Sequence, residues 1–330
     1  MASGREKCLF GQRTPASLED KRRSCAEPAS KQWHVACLNL LNAISEESSL
    51  LVDLHSHTTA SDGRCTPEAL VKRAAEVGIT TLGVTDHDTM AGVAGATAAA
   101  AREGIDLVPG IEITSVHGGK DVHVLGYFLN PETPGLSEMI ADQRRRRIER
   151  AREIGQRLAN TGAPIDTDEL VATAVGQSGK AIARPQIAQA LINAGHAATV
   201  AEAFERFLGE DCPAYVPHTG VGPAEVVQLI LGGGGIAALA HPGYTKKDQI
   251  IPELVEAGMT AIEVYHSSHD EEAVSRYLEI ARRYNLARTG GSDYHGEGVR
   301  RAEFFGVTNL PAECYAEFRQ RAGRPLTAHL

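Results

Sequence analysis

The sequence predicts an α/β fold: a mostly parallel sheet, closed or nearly closed as a barrel, with an all-helical block spliced into it. Three observations carry that prediction. Short apolar runs alternate with helical patterns from residue 50 onward, which argues for repeated strand–helix units. The alternation stops between about 131 and 215, where only helical patterns occur. Almost every predicted strand delivers a His, Asp or Glu at or near its end, the face on which α/β barrels build sites.

The elements follow in order. Residues 50–54 form the first strand, and 67–77 a helix, with Thr66 as N-cap and Pro67 in the first helical position. Strand 81–85, an Ala-rich helix around 90–102, and strands 107–113 and 122–128 complete the first half. Beyond the interruption, helix 223–231 leads into strand 236–240. The Gly run at 232–235 between them lacks the G-K-[ST] ending of a phosphate loop and reads as a turn. Helix 248–257, strand 261–265, helix 271–284 and strand 286–289 come next, then a final strand 305–308 and a C-terminal helix.

The interrupting block reads as four helices, 136–160, 168–175, 184–194 and 200–208. The domain division expected is a catalytic barrel of 49–130 and 216–330, with 131–215 as a lid or substrate subdomain. Arg144, Arg145, Arg146, Arg147, Arg150 and Arg152 crowd the first insertion helix. They read as a solvated face balanced by Glu149 and Glu153 rather than as a phosphate site. Residues 1–48 mix Lys, Arg, Glu, Ser and Cys without sustained periodicity and read as an appended, weakly ordered segment. It carries one short helix around 35–44 and no functional motif.

Composition narrows the function. The 330 residues carry a formal charge of −9, which disfavours long nucleic acid as a partner gripped through its phosphates. Six scattered cysteines form no C-x-x-C pair, so neither a disulfide framework nor a thiolate zinc site is indicated. No run is long and apolar enough for a membrane span, and the early apolar stretch follows polar residues, the wrong order for a secretory signal. A cytoplasmic protein with no membrane partner is expected. Thirteen histidines point instead to metal.

Their spacing supports that. Asp-Leu-His-Ser-His at 53–57 puts His55 and His57 on one face of the first strand, so both imidazoles can reach one ion. Asp62 follows in a Ser-Asp-Gly turn. The second strand ends in Thr-Asp-His-Asp, giving His87 with Asp86 beside it as an orienting carboxylate. Glu112, His123, His241, Asp293 and His295 come from the later strands. Chance placement would not favour strand ends so consistently.

These motifs, D-L-H-S-H-T-x-x-S-D-G, T-D-H-D, G-I-E, H-V-L-G-Y, A-H-P-G and G-S-D-Y-H in this order, resemble the polymerase and histidinol phosphatase (PHP) family over about residues 51–310. With its helical insertion the chain resembles the branch that acts on small nucleotides. Members there remove the 3′-phosphate of nucleoside 3′,5′-bisphosphates or trim short RNA from its 5′ end. The resemblance implies a distorted (β/α)7-like barrel holding three divalent ions. His55, His57, Glu112 and Asp293 would hold the first; Glu112, His123 and His241 the second; Asp62, His87 and His295 the third.

Imidazole and oxygen ligands suit Mn²⁺, Fe²⁺ or Zn²⁺. The chemistry implied is attack on phosphorus by a metal-bridging hydroxide, with no separate protein nucleophile. Arg184, in Ala-Arg-Pro, matches a phosphate-binding arginine of the nucleotide-cleaving members. His218 and His269 are further candidates for substrate binding, whereas His117 and His266 read as surface residues. The substrate expected is a small phosphorylated nucleotide. The alternatives are 5′→3′ exonuclease action on short RNA, or a non-catalytic module supporting a partner protein.

Overall fold

The computed structural model describes residues 50–324 apart from 177–181, 183 and 300; segment 1–48 and its expected helix lie outside the described residues. Seven strands form one sheet in chain order: β1 (Val52–Asp53), β2 (Thr81–Val84), β3 (Asp106–His117), β4 (Lys120–Tyr127), β5 (Ile236–Leu239), β6 (Ala261–His266) and β7 (Ala287–Gly291). Its two ends meet, giving a nearly closed barrel. The Leu54 N–H donates to the Gly290 carbonyl at 3.0 Å, and Ser56 bridges Tyr294 in parallel. Gly291 permits this approach, because a Cβ there would lie 2.4 Å from the His55 backbone nitrogen.

The sheet is parallel except at one strand. β4 runs antiparallel to both β3 and β5. Gly118 and Gly119, at φ 60° and 75°, make the two-residue turn that joins His117 to Lys120. Two successive positive φ values match the twist of a hairpin, and glycine adopts them without a Cβ penalty. The reversal sets His123 opposite Thr114, so an early residue of β4 reaches the rim where the parallel strands end.

Helices cover the barrel. α1 (Pro67–Glu76) starts as expected, with Thr66 Oγ1 accepting the Ala69 N–H at 3.2 Å. α2 (Val93–Glu103) follows β2. Within the inserted block lie α3 (Leu136–Asn160), α4 (Thr167–Gly176), α5 (Arg184–Asn193) and α6 (Val200–Ala203), the last running into a π-turn at Phe204–Leu208. α7 (Pro223–Gly232), the short α8 (Pro242–Thr245), α9 (Ile251–Glu256), α10 (Glu271–Tyr284) and α11 (Ala312–Arg321) complete the chain.

Among the described residues burial separates four apolar clusters, two of which bear on the site. Ile111, Ile113, Val227, Ile230, Leu239 and Ile262 belong to the core between the sheet and its helices. Ile154, Leu158, Ile187, Leu191, Phe207 and Leu208 form a separate apolar cluster within the inserted helices. Among the described residues no helix is long and apolar enough to cross a membrane.

The expected strand at 305–308 does not form. Gly306 sits at φ 81°, and the amides of Val307 and Thr308 both bond back to the Phe304 carbonyl, which makes a turn. Its apolar pattern misled because the residues do different jobs: Phe305 stacks on Tyr294 at 4.1 Å between centroids, while Val307 is 69% exposed.

Candidate metal centre

Glu112 organises the site. It lies on β3, fully buried, and its two oxygens face five imidazoles. Oε1 is 2.8 Å from His123 Nδ1 and 3.0 Å from His241 Nε2. Oε2 is 3.3 Å from Nε2 of both His55 and His57, and 3.1 Å from His87 Nδ1. Asp293 Oδ1 closes the group on the far side, 3.5 Å from His55 Nε2 and 3.2 Å from His57 Nε2. Asp62 reaches in from its turn, 3.3 Å from His295 Nε2, 3.7 Å from His57 Nδ1 and 4.0 Å from His87 Nε2. The structure thus brings all nine residues of the expected ligand set together.

Backbone strain marks the same rim. Asp88, His241 and Asp293 are non-glycine residues at φ 49°, 29° and 57°. Each such position costs on the order of 1–3 kcal/mol and persists only where its surroundings hold it, most often at functional sites. His295 Nδ1–H donates to the Asp293 carbonyl at 2.8 Å, which leaves Nε2 facing Asp62.

Charge in this cluster is shared unevenly. Burial alone would raise the pKa of Glu112, but His87, His123 and His55 outweigh it and hold the carboxyl well below its usual range. Burial would likewise lower His57, yet Asp293 and Glu112 lift it to about 10. For His87 burial wins over its carboxylate neighbours and brings it down to about 4.

A cation fits these residues. His55 Nε2, both ring nitrogens of His57, His87 Nδ1 and Glu112 Oε2 are buried without a hydrogen-bond partner. Buried polar atoms are seldom left so, and these converge on one space. The ligand atoms of His55, His57, Glu112 and Asp293 all lie within 4.8 Å of one another, as do those of His57, Asp62, His87 and His295, and those of His87, Glu112 and His123. The donor set of imidazoles and carboxylates is that of a transition-metal site.

Several expected roles change. Asp86 does not orient His87. Its Oδ1 accepts from the Thr58 N–H at 2.6 Å and Ser61 Oγ at 2.7 Å, and its Oδ2 from Thr58 Oγ1 at 2.7 Å, so it ties down the loop that carries Asp62. His269 has both nitrogens occupied, Nδ1–H on the Val264 carbonyl and Nε2 on the Gly243 N–H, and braces the chain after His241 instead of lining a mouth. His266 is no surface residue. It is 4% exposed, with Nε2 3.6 Å from Asp293 Oδ2.

Other groups had no role in the sequence reading. Glu263, fully buried on β6, bonds His55 Nδ1 at 3.0 Å. Burial would raise its pKa, but His55 and His266 bring it down to about 2. An acid inside the apolar run Ala-Ile-Glu-Val-Tyr-His was the available signal. A register shift between Glu263 and Tyr265 breaks the simple alternation, which is why His266 could not be assigned to the site face from spacing. Arg301 pairs with Asp293 Oδ2 and lies over the Tyr244 ring.

The arginine-dense helix α3 divides its residues. Arg145 and Arg146 pair with Asp142, and Arg145 also with Glu149, as a solvated face should. Arg147 and Arg150 do not follow that pattern. They line a pocket of about 130 Å³ together with Asp62, His87, His123, Asp121 and His218. Arg147 bonds Asp88 Oδ2 and Thr114 Oγ1, and Arg150 donates Nε–H to the Val216 carbonyl. Burial and the neighbouring Arg184 both lower the Arg150 pKa, the mark of positive charge left poorly compensated. Arg184 itself lies over Phe204 and Tyr215, 5.7 and 5.9 Å from their centroids. His218 donates Nδ1–H to Asp121 and keeps Nε2 without a partner.

Imidazoles and carboxylates gathered round one buried glutamate, on the rim of a seven-stranded barrel, define a metal-dependent hydrolase of the α/β class. Comparison narrows the class: the PHP domain profile matches residues 53–183. The chain is 32% identical to the 3′,5′-nucleoside bisphosphate phosphatase of Chromobacterium violaceum over 280 residues, covering 83% of this chain and 98% of that one. It is 35% identical to the 5′-3′ exoribonuclease Rnm of Escherichia coli over 254 residues, 75% of this chain and 86% of that one. A solved structure described as a metal-dependent phosphoesterase, from Bifidobacterium adolescentis, superposes with a TM-score of 0.72 at 31% identity, covering 85% of this chain and 98% of that one. The chain belongs to the PHP family.

Proposed function

We propose that this protein hydrolyses a phosphate monoester of a small nucleotide, with the 3′-phosphate of nucleoside 3′,5′-bisphosphates such as pAp as the leading substrate. One observation carries the reading: the pocket lined by Arg147, Arg150 and His218 opens directly on the metal ligands Asp62, His87 and His123. A nucleotide with two phosphates needs one anion site at the reacting centre and another beside it, and this pair supplies both. The bisphosphate phosphatase relative supports the same substrate.

His55, His57, Asp62, His87, Glu112, His123, His241, Asp293 and His295 would hold up to three divalent ions, Mn²⁺, Fe²⁺ or Zn²⁺. Such ions, when bound, supply hydroxide at neutral pH and positive charge for the phosphoryl oxygens. The chain's own residues do the rest. Arg147 and Arg150 present guanidinium groups to the non-reacting phosphate, and His218, whose buried Nε2 has no partner, lines the same pocket. Arg184 stands beside Arg150 and adds to that positive field. The inserted helices of 131–215 act as the substrate subdomain, since α3 and α5 contribute Arg147, Arg150 and Gln186 to the pocket. The place of action is the cytoplasm, a reading supported by the unpaired state of the three described cysteines, Cys65, Cys212 and Cys314.

A second reading, 5′→3′ cleavage of short RNA, has one observation in its favour. A cleft of about 640 Å³ is lined by Ser61–Arg64, α4 and α5, a volume that suits a substrate extending past the first nucleotide. Phosphate release from pAp and digestion of 5′-phosphorylated oligonucleotides, each with Mn²⁺, Fe²⁺, Zn²⁺ and Mg²⁺, separate the two. Higher kcat/KM on pAp supports the phosphatase. Higher kcat/KM on the oligonucleotides moves the assignment to the nuclease, and a metal-replete protein inert on every ester leaves only the non-catalytic module.

A further inference from the structure

We propose that Glu263 is a positioning residue for the metal centre, fixing two of its ligands with the two oxygens of one carboxylate. Oε1 accepts the His55 Nδ1–H at 3.0 Å, and Oε2 accepts the His241 backbone N–H at 2.7 Å. Both contacts are fully buried, and Glu263 has no solvent-exposed surface. The inference rests on the reading of the centre as a metal site.

The two bonds do different things. A neutral imidazole carries one ring proton, and an acceptor at Nδ1 keeps that proton there, so the Nε2 lone pair points at Glu112 and Asp293. His241 needs another kind of help. Its backbone stands at φ 29° and ψ 56°, a conformation rare for histidine, while its Nε2 meets Glu112 Oε1 at 3.0 Å. A charged acceptor buried behind its N–H holds the turn that aims that ring. One side chain on β6 therefore couples a ligand beyond β1 to another beyond β5, each belonging to a different expected ion.

Substitution separates this role from simple packing. In Glu263→Gln, an amide that accepts from His55 must turn its NH₂ toward the His241 N–H, donor against donor, and the opposite flip disorders His55. Glu263→Asp keeps the charge but withdraws the carboxylate by one methylene, so it cannot span both partners. Metal-free wild type and variants are titrated with Mn²⁺ by calorimetry, and bound metal is counted by mass spectrometry. The expected result is a 10- to 100-fold weaker affinity for Gln, a smaller loss for Asp, and normal near-ultraviolet circular dichroism in the folded fraction. Wild-type affinity and metal content in a folded Glu263→Gln protein overturn the proposal. Wild type that binds no Mn²⁺ overturns the metal reading itself. A third readout needs no variant: in Zn²⁺-loaded wild type, long-range ¹H–¹⁵N spectra should show an exchange-protected Nδ1–H on His55, and its absence also overturns the role.

Discussion

Replacing Glu112 with glutamine tests the centre at its hub. The substitution keeps size and shape but exchanges one oxygen for an NH₂. Oε1 faces His123 and His241, while Oε2 faces His55, His57 and His87. His123, His241, His55 and His57 would each share an ion with this carboxylate, and His87 would hold the neighbouring one. Whichever way the amide turns, one set loses its acceptor, and the smaller set has two members. Glutamine also removes a full negative charge, and a unit charge about 4 Å from a cation is worth about 4 kcal/mol at an effective dielectric of about 20. At 1.4 kcal/mol per tenfold, that corresponds to roughly a thousandfold weaker metal binding. Calorimetric titration of the metal-free protein with Mn²⁺ reads the loss directly, and phosphate release from pAp at limiting Mn²⁺ should fall with it. A folded Glu112→Gln protein with wild-type affinity and metal content would refute the placement of Glu112 at the shared centre.

Other outcomes follow from the same geometry. Arg184→Ala should raise KM for a 3′,5′-bisphosphate about 10-fold or more and leave p-nitrophenyl phosphate nearly unchanged; equal effects on both esters exclude an anchoring role. Arg150→Met should lower kcat/KM for pAp by about 10- to 100-fold without changing Mn²⁺ affinity, and a parallel loss of metal would show that its role is structural. In EDTA, the His57 contribution to stability is fully present below its unfolded pKa of 6.5 and disappears as pH rises through about 10, so the melting temperature should fall between pH 7 and 9.5. Adding Mn²⁺ should remove that fall, and a flat metal-free profile would contradict a proton held on buried His57 by Asp293 and Glu112. Thr66→Ala, which removes only the N-cap bond to the Ala69 amide, should cost about 1 kcal/mol in chemical denaturation and leave kcat/KM unchanged.

The legible part of this site was written where strands end. His55 and His57 alternate just beyond β1, and His87, His241 and Asp293 each stand at or next to a strained backbone position that a sequence pattern can mark. The reversed β4 was also readable, since Gly118-Gly119 between two apolar runs is a hairpin signal, yet counting strand–helix alternation alone hides it. What escaped depends on geometry that spacing does not encode. The shift in β6 registers only against β7. Arg145 and Arg147 are two residues apart on one helix, yet one faces water and the other faces Asp88. Asp86, placed beside His87 by sequence, turns instead to a loop 25 to 28 residues away.

The separate apolar cluster of the inserted helices has a consequence for how such a protein can change. Ile154, Leu158, Ile187 and Leu191 bury against one another and not against the barrel core. Residues inside this cluster can therefore be exchanged without disturbing the apolar packing of the barrel core. The same helix α3 still answers to the barrel, through Leu136 in the barrel core and Arg147 on Asp88 and Thr114, so change is free in the cluster and constrained at that seam.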